Sequence, residues 1–349
     1  MWKETPIFRE DLEQLTTYEF IPWDELNGKT IFVTGGTGLI GYSLISALLY
    51  YDQKYDAGLK VIALVRNLKQ AKDKFSRQLA DQCRLTFVQG SIQEIPDIDA
   101  EIDYIVHSAS PTASAFFVQK PVETIEATVI GTYNMLQLAR KKKVSGFVYL
   151  SSMEVFGEIH FKEKLSEENL GYIDIFSSRS SYSEGKRLAE NMCCAFAREY
   201  QVSVTIARLA QTFGPGVKKE DQRVFAYMAR CAVNEEDICL KTSGSKENMY
   251  LYTMDAISAV LLLLIKGSRG ETFNVGNPQT YCSVKEMGML VAQRLAKKEI
   301  SVIINIGETT EIFYRPESYL NMDTTKLEAL GWSAKHGLLQ MYERMIACF

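Results

Sequence analysis

The stretch that decides the fold is TIFVTGGTGLIG, residues 30–41, in which a short apolar and β-branched run leads into closely spaced glycines. The spacing Gly35-x-x-Gly38-x-x-Gly41 is typical of a strand, a tight turn and the start of a helix. The first glycine permits the turn, the second lets the backbone approach a pyrophosphate, and the third lets the helix pack closely on the sheet. Free N–H groups at the helix start would bind the phosphates. The segment therefore predicts a dinucleotide site formed by Gly35, Thr37, Gly38, Leu39, Ile40 and Gly41.

Apolar runs of strand length alternate with longer helical patterns along the chain. This alternation is typical of βαβ units, and continuous apolar runs indicate strands buried on both faces of a parallel sheet. We therefore expect an α/β fold built on a Rossmann doubly wound parallel sheet. The predicted strands are Thr30–Thr34, Val61–Val65, Leu85–Val88, Tyr104–His107, Phe147–Ser151 and Val202–Arg208, and the predicted helices include Leu39–Tyr51, Val122–Lys142 and Ser183–Tyr200.

The length of 349 residues suggests roughly two domains. A Gly/Pro turn at residues 213–216 marks a boundary between them. We predict three parts: an N-terminal extension over residues 1–27 that packs on the surface as a short helix, a dinucleotide-binding domain over 28–212 plus 247–276, and a smaller C-terminal domain over 213–246 plus 277–349.

The end of the second predicted strand bears on the choice of dinucleotide. Val65 is followed by Arg66, with Lys69 and Lys72 close behind. An acidic residue here would bind the ribose 2′-hydroxyl of NAD, whereas a cation suits the 2′-phosphate of NADP. Arg66 therefore favours NADP over NAD. The alternative is a solvated basic loop without a ligand.

Four polar residues form a candidate catalytic set. Tyr182 and Lys186 share a helix face, because they are four residues apart at the start of a helical pattern. A lysine ammonium beside a phenol favours the phenolate, which makes Tyr182 a candidate general base, and it can also bind the nicotinamide ribose. Ser152 follows a buried strand at its carboxyl end, where α/β sheets bind ligands. Glu154 would point to the same side if the segment were extended.

Composition excludes several classes of partner. Lys+Arg is 39 against Asp+Glu 43, so the net charge of -4 gives no reason to expect nucleic acid or an anionic membrane. The longest apolar run, Ala256 to Ile265, is shorter than the roughly 20 residues of a membrane span. Three histidines and the absence of a C-x-x-C pair argue against a metal site. Seven cysteines without framework spacing indicate reduced thiols, and an acidic N-terminus interrupted by Pro6 fits no signal or transit peptide, so we expect a cytoplasmic protein.

On these residues the chain resembles the extended short-chain dehydrogenases/reductases of the NAD-dependent epimerase/dehydratase family, over nearly its whole length after residue 28. The matching segments are TGGTGLIG (34–41), DYIVHSAS (103–110), LSSMEVFG (150–157), YSEGK (182–186), RLAQTFGPG (208–216) and FNVGNP (273–278). The resemblance implies a Rossmann domain, a smaller C-terminal substrate-binding α/β domain, and a homodimer built on the helices Val122–Lys142 and Ser183–Tyr200. It also implies a nucleotide-activated sugar or polyol as substrate. NAD(P) would oxidise it to a transient ketone that permits epimerisation, dehydration or decarboxylation.

The resemblance assigns roles to individual residues. Tyr182 would be the base, Lys186 its activator and Ser152 the residue that orients the substrate hydroxyl. Further implied contacts are Ser91, Ile92 and Ala109 for the cofactor, and Ser110, Ser152, Gln211, Lys246 and Arg315 for the substrate.

The segment around Glu154 points to one branch of the family. SMEVFG (152–157) resembles the corresponding segments of UDP-glucuronate decarboxylases and sugar 4,6-dehydratases, in which the glutamate acts beside the transient ketone. Residues 107–136 are especially similar to the decarboxylase branch, and Met153 replaces the acid that a 4,6-dehydratase uses on the leaving hydroxyl. Decarboxylase- or dehydratase-like chemistry is therefore the leading expectation, with plain C4 epimerisation as a near alternative.

Departures from the family pattern keep other hypotheses open. Gln211 replaces an asparagine, and Met249 stands where an arginine binds the substrate pyrophosphate, a role that Lys246 would have to fill. Together with Arg66, these changes allow an NADPH-dependent reductase of a nucleotide-linked keto-sugar or a CDP-linked keto-polyol. The alternative from another class is a non-catalytic NADP-binding scaffold or sensor.

Overall fold

Seven parallel strands form the central sheet of the computed structural model, which describes residues 5–76, 84–306 and 318–349. They are β1 (Thr30–Thr34), β2 (Lys60–Val65), β3 (Leu85–Gln89), β4 (Tyr104–His107), β5 (Gly146–Ser152), β6 (Val204–Leu209) and β10 (Thr272–Val275). Their order is β10-β6-β5-β4-β1-β2-β3, and every pair is parallel. The order reverses between β1 and β4, and open sheets bind ligands at the carboxyl ends of strands beside such a reversal. The predicted α/β class with a doubly wound parallel sheet is confirmed.

The described α-helices are Pro6–Leu15, Leu39–Tyr55, Leu68–Lys74, Ser114–Gln119, Pro121–Ile125, Gly131–Lys142, Ser180–Tyr200, Val224–Asn234, Thr253–Lys266, Val284–Arg294, Thr325–Glu328 and Leu338–Ile346. Helices such as Leu39–Tyr55 and Ser180–Tyr200 connect strands of the central sheet and pack on it, whereas Val224–Asn234, Val284–Arg294 and Leu338–Ile346 pack against one another. The predicted helix Val122–Lys142 is interrupted by a π-helical segment, Glu126–Ile130. The predicted helix Ser183–Tyr200 begins earlier, at Ser180, so Tyr182 lies in its first turn. No helix in the described ranges combines the length and apolar character that crossing a membrane requires.

A second sheet forms around β9 (Glu247–Tyr252). β9 pairs in parallel with β7 (Gln211–Phe213) and β13 (Tyr319–Leu320), and antiparallel with β11 (Asn277–Ser283). Two short strands, β8 (Ile238–Leu240) and β12 (Val302–Ile304), pair separately.

β9 lies in the range 247–276, which the sequence prediction assigns to the dinucleotide-binding domain. β9 belongs to the second sheet, whereas the helix after it packs on β5 and β6, and β10 pairs with β6. All residues of β9 after Glu247 are buried, so its sequence pattern suits a central strand of either sheet. Periodicity therefore cannot assign this strand to a sheet. The domain boundaries therefore stay a prediction.

The N-terminal extension is more deeply packed than the surface helix that the sequence predicts. The helix Pro6–Leu15 buries Phe8, Asp11, Leu12 and Leu15. The Asp11 carboxylate accepts hydrogen bonds from Tyr252 over 2.6 Å and from Arg344 over 2.7 Å. Because Tyr252 ends β9 and Arg344 lies on the C-terminal helix, the extension joins the second sheet to the end of the described chain.

Candidate active site

The glycine loop joins β1 to the helix Leu39–Tyr55 and leaves little space for side chains. Gly35 has φ +69°, and a Cβ there would lie 2.9 Å from the backbone nitrogen of Ala109. A Cβ on Gly41 would lie 2.3 Å from the carbonyl oxygen of Gly35. Gly38 is the N-cap of the helix, and no side chain caps the first turn. The N–H groups of this turn are therefore oriented to bind phosphate, and the loop fits a dinucleotide pyrophosphate.

Lys74 is a residue at the glycine loop that sequence reasoning missed. Its Nζ donates a hydrogen bond to the carbonyl oxygen of Thr37 over 2.7 Å, just before Leu39 and Ile40 begin the helix. Burial, with a smaller effect from the charge of Lys218, lowers the pKa of Lys74 to about 8. The residue ends a short helix far along the chain from the glycines, so no local pattern indicates this contact.

Basic side chains line an open pocket of about 650 Å³ at the carboxyl end of β2. Arg66, Lys69 and Lys72 contribute cations to its wall, and Asp73 contributes one carboxylate. The pocket also includes Gln89, at the end of the neighbouring strand β3. Its charge suits an anionic ligand group.

The loop after β3 is held against the helix Gly131–Lys142. The carbonyl oxygen of Ile92 accepts a hydrogen bond from Asn134 Nδ2 over 3.0 Å. Ser91 Oγ accepts from the backbone nitrogen of Glu94 over 3.1 Å, so it closes a turn of its own loop. The two implied cofactor contacts in this loop, Ser91 and Ile92, are therefore placed by contacts within the protein.

The end of β4 lies directly against the end of β1. The backbone nitrogen of Ala109 donates to Thr34 Oγ1 over 3.1 Å, and His107 Nδ1 lies 2.8 Å from the same oxygen. Burial lowers the pKa of His107 to about 3, so this histidine is neutral, and its contact with Thr34 is structural. Ser110 Oγ is buried without a hydrogen-bond partner among the described residues, which suits it to pair with a ligand.

Tyr182 is buried beside Ser152 at the carboxyl end of β5. Its ring stacks on Phe117, with the ring centres 4.3 Å apart and an angle of 6° between the planes. Burial raises the pKa of Tyr182 to about 12, and the hydrogen bond to Ser152 opposes that shift. The phenol is thus protonated in this state of the site, with Ser152 positioned beside its oxygen.

Lys186 lies one helical turn after Tyr182 and is buried. Its Nζ donates to the carbonyl oxygen of Leu150 over 2.6 Å, and it lies 4.6 Å from the centre of the Tyr149 ring and 5.8 Å from that of the Tyr182 ring. Burial lowers the pKa of Lys186 to about 7, and the charge of Glu190 opposes this shift. The two predicted residues share a helix face, as four-residue spacing requires.

The segment after Ser152 is a short 3-10 helix, Met153–Phe156, so the condition of an extended chain is not met. Ser152 Oγ caps it by accepting from the backbone nitrogen of Glu154 over 3.2 Å. The Glu154 carboxylate lies near Tyr182, whose pKa its charge raises, and 3.5 Å from Arg179 Nη2. Glu154 therefore lies at the site because of this helical turn, and not because side chains alternate along an extended strand.

Two arginines near the site were missed by sequence reasoning. Arg179 immediately precedes the helix of Tyr182 and pairs with Glu154. Arg223 lies close enough to Tyr182 for its charge to lower the pKa of the phenol, and Asp221 holds its guanidinium over 2.7 Å. A sequence signal exists only for Arg179, which is three residues before Tyr182. Arg223 reaches the site only through the folding of the second half of the chain.

The predicted substrate residues are more dispersed. Gln211 lies in β7, in register with Tyr250 of β9. Lys246 is half-buried just before β9, and its carbonyl oxygen accepts from the backbone nitrogen of Val284 over 3.0 Å. Met249 is fully buried in the core. Arg315 lies outside the described residues, so its predicted role stays a prediction.

The sequence pattern of the NAD dependent epimerase/dehydratase family matches residues 31–276. The chain is 30% identical to UDP-glucuronic acid decarboxylase 6 of Arabidopsis thaliana, in an alignment that covers 87% of this chain and 84% of that protein. It is 29% identical to UDP-glucuronic acid decarboxylase 1 of Xenopus tropicalis, where the alignment covers 81% of this chain but only 65% of the relative. The chain therefore belongs to the NAD-dependent epimerase/dehydratase family, as its motifs predict.

Solved structures show the same fold. A dTDP-glucose 4,6-dehydratase from Bacillus anthracis in complex with NAD has a TM-score of 0.71 and 23% identity, over 92% of this chain and 96% of that one. A UDP-glucose 4-epimerase from Thermotoga maritima with UDP-glucose has a TM-score of 0.75 and 23% identity, over 92% and 98%. At these identities the likeness concerns the fold alone, and it confirms the predicted architecture.

Proposed function

We propose that this protein is an NAD(P)-dependent enzyme that forms a transient ketone on a nucleotide-activated sugar. The observation that carries the proposal is the contact between Ser152 and Tyr182, with Lys186 buried one turn away and the glycine loop at the same edge of the sheet. The alternative of a silent scaffold has no comparable support, since it does not require these three side chains to meet.

The chemistry divides between the cofactor and the chain. A bound nicotinamide dinucleotide supplies reversible hydride acceptance. Ser152 orients a sugar hydroxyl, and Tyr182 accepts its proton as the carbon is oxidised. Since burial raises the pKa of Tyr182 to about 12, the proton must move to a phenoxide that the site stabilises. Lys186 and Arg223 are the cations placed to provide that stabilisation.

Glu154 favours decarboxylase- or dehydratase-like chemistry over plain C4 epimerisation. It lies near the phenol of Tyr182, where a ketone would form, and its carboxylate pairs with Arg179. The relatives named above as UDP-glucuronic acid decarboxylases add support for the decarboxylase form. C4 epimerisation needs only Ser152, Tyr182 and Lys186, and so remains the near alternative.

We infer NADP as the preferred dinucleotide, although the family as a whole is NAD-dependent. The support is the pocket lined by Arg66, Lys69 and Lys72, together with the absence of an acidic residue at the end of β2. An enzyme with a closed hydride cycle retains its cofactor, whereas a net reductase exchanges NADPH with solution. Since the pocket favours NADP, it also supports the second candidate, a reductase of a keto-sugar or keto-polyol linked to a nucleotide.

We further propose a homodimer. Apolar side chains remain exposed on the two helical segments predicted to form the interface, which is unusual for an unpaired surface. They are Val122 (63% exposed), Ile125 (45%), Ile130 (45%), Tyr133 (45%) and Leu188 (49%). A cytoplasmic location is proposed on the free thiols alone, six of which lie in the described residues.

The test begins with the cofactor. We would extract the nucleotide that the purified protein retains and titrate the stripped protein with NAD(H) and NADP(H). The protein is then incubated, with either cofactor present, with UDP-glucuronic acid, UDP-glucose and dTDP-glucose. Release of carbon dioxide with a pentose product supports the decarboxylase form, and an inverted C4 centre supports the epimerase. No turnover on any sugar with either cofactor, together with tight dinucleotide binding, would contradict an enzyme and favour the scaffold.

A further inference from the structure

A buried ion pair between Glu190 and Arg208 lies behind the candidate catalytic residues and takes no part in the proposed chemistry. Arg208 Nη2 lies 2.7 Å from Glu190 Oε2, and Arg208 Nε lies 3.0 Å from Oε1. The residues are 7% and 4% exposed. A charge pair this deep carries a large desolvation cost and adds little net stability, so stability alone does not account for it.

The pair is fixed to the site from several sides. Ser151, directly before Ser152, donates from Oγ to Glu190 Oε1 over 2.5 Å. The Arg208 guanidinium donates from Nη1 to the carbonyl oxygen of Glu167 over 2.6 Å and lies 5.2 Å from the ring of Phe156. Phe156 belongs to the 3-10 helix that follows Ser152. The Glu190 carboxylate is thus held in one place.

Glu190 lies four residues after Lys186 on the same helix, which places the carboxylate one turn from the lysine. We propose that Glu190, fixed by Arg208 and Ser151, is a positioning residue whose negative charge favours the ammonium form of Lys186. This inference rests on the proposed function, because the ammonium matters only if Tyr182 acts as the base.

Among the described residues, the other titratable groups beside Lys186 supply no competing anion at neutral pH. From β4, His107 is neutral, because burial lowers its pKa to about 3. From β5, Tyr149 presents its ring, and burial raises the pKa of its phenol. On the shared helix, burial raises the pKa of Tyr182 to about 12 and also raises the pKa of the Cys193 thiol.

Two opposing effects therefore act on the lysine. Burial lowers the pKa of Lys186 to about 7, and the negative charge of Glu190 is the largest effect that opposes it. Without that charge the pKa of Lys186 would fall further, and the phenoxide of Tyr182 would less often have a neighbouring cation. Glu190 thus opposes the loss of the proton from this buried lysine.

The experiment measures the ionisation of Lys186 directly, without substrate or cofactor. Protein labelled with 13Cε-lysine is titrated by NMR, and the Lys186 signal is identified by its loss in Lys186→Met. We expect Glu190→Gln to lower the pKa of Lys186 by about one unit or more. Since removing one partner leaves a buried cation, the double variant Glu190→Gln/Arg208→Gln removes both charges and should show the same direction of shift. The pH profile of turnover in Glu190→Gln should show reduced activity at neutral pH with little change in KM.

The control is Asp11→Asn, which removes a buried carboxylate from another arginine pair, with the partly buried Arg344, away from Lys186. It should leave the lysine titration unchanged. A folded Glu190 variant with an unshifted Lys186 titration overturns the inference, and so does failure of both variants to fold, since the pair would then serve the fold alone. If wild-type protein turns over no sugar, the proposed function fails, whereas the NMR titration still decides whether Glu190 sets the charge of Lys186.

Discussion

Lys186 donates a hydrogen bond from Nζ to the carbonyl oxygen of Leu150 over 2.6 Å, so a lysine from the catalytic helix is attached to the strand that carries Ser152. Because this contact is buried, the pKa of Lys186 falls from 10.5 to about 7. A lysine with a depressed pKa in the folded state weakens folding at pH values below that pKa. The penalty disappears as the pH rises through the window to the unfolded value.

The first prediction follows from this dependence of folding stability on pH. We expect Lys186→Met to raise the free energy of unfolding by on the order of 2 kcal/mol at about pH 6, after the lost hydrogen bond is counted, with a much smaller gain at about pH 10. Urea unfolding at the two pH values measures the difference. The exposed Lys60→Met is the control and should show no such pH dependence. An equal gain at both pH values would show that Lys186 is not titrating in this window.

A second prediction concerns the phenol. Tyr182→Phe keeps the ring that stacks on Phe117 and removes only the hydroxyl. Turnover should fall by about a hundredfold or more, as for loss of a general base, while dinucleotide affinity changes little. Tyr342→Phe removes a buried hydroxyl that lies near Met228, and it should retain turnover. Activity that survives in Tyr182→Phe would mean that another group accepts the proton.

A third prediction tests the glycine loop. A Cβ on Gly41 would lie 2.3 Å from the carbonyl oxygen of Gly35, so Gly41→Ala must displace the loop. We expect dinucleotide affinity, measured by fluorescence titration, to fall by about tenfold or more, equivalent to about 1.4 kcal/mol. Gly337→Ala is the control, since a Cβ there meets nothing within 4 Å. Equal affinity in both variants would place the dinucleotide elsewhere.

A fourth prediction separates the two dinucleotides. Arg66→Glu reverses a charge in the pocket at the end of β2, whereas Lys60→Glu makes the same change at the other end of that strand. We expect the Arg66 variant to lose about tenfold or more in NADPH affinity, because a charged hydrogen bond is removed, with a smaller effect on NADH. If both cofactors weaken equally in the two variants, Arg66 does not recognise a 2′-phosphate.

A fifth prediction concerns assembly. Ile130→Glu with Leu188→Glu places two charges on the exposed apolar face, where burial against a second copy would be strongly unfavourable. Light scattering should show a dimer for the wild-type protein and a monomer for this variant. Met289→Glu, at an exposed methionine on another helix, should remain dimeric. A wild-type monomer would contradict the proposed interface.

The sequence was sufficient where a local constraint decides the structure. The glycine spacing in residues 35–41 predicts the loop, because backbone approach there excludes a Cβ. Four-residue spacing predicts the shared face of Tyr182 and Lys186, because helix geometry is the same wherever a helix forms. The central strands were predicted by their continuous apolar runs, since a parallel sheet covered on both faces needs them.

Only the tertiary structure decided the contacts between distant segments. β9 joined the second sheet although its run of buried residues suits either one. Arg223 and Lys74 reach the site from elements that carry no local sign of it. Periodicity shows that a residue is buried or shares a face with its neighbours, but which distant group it meets depends on how the layers pack.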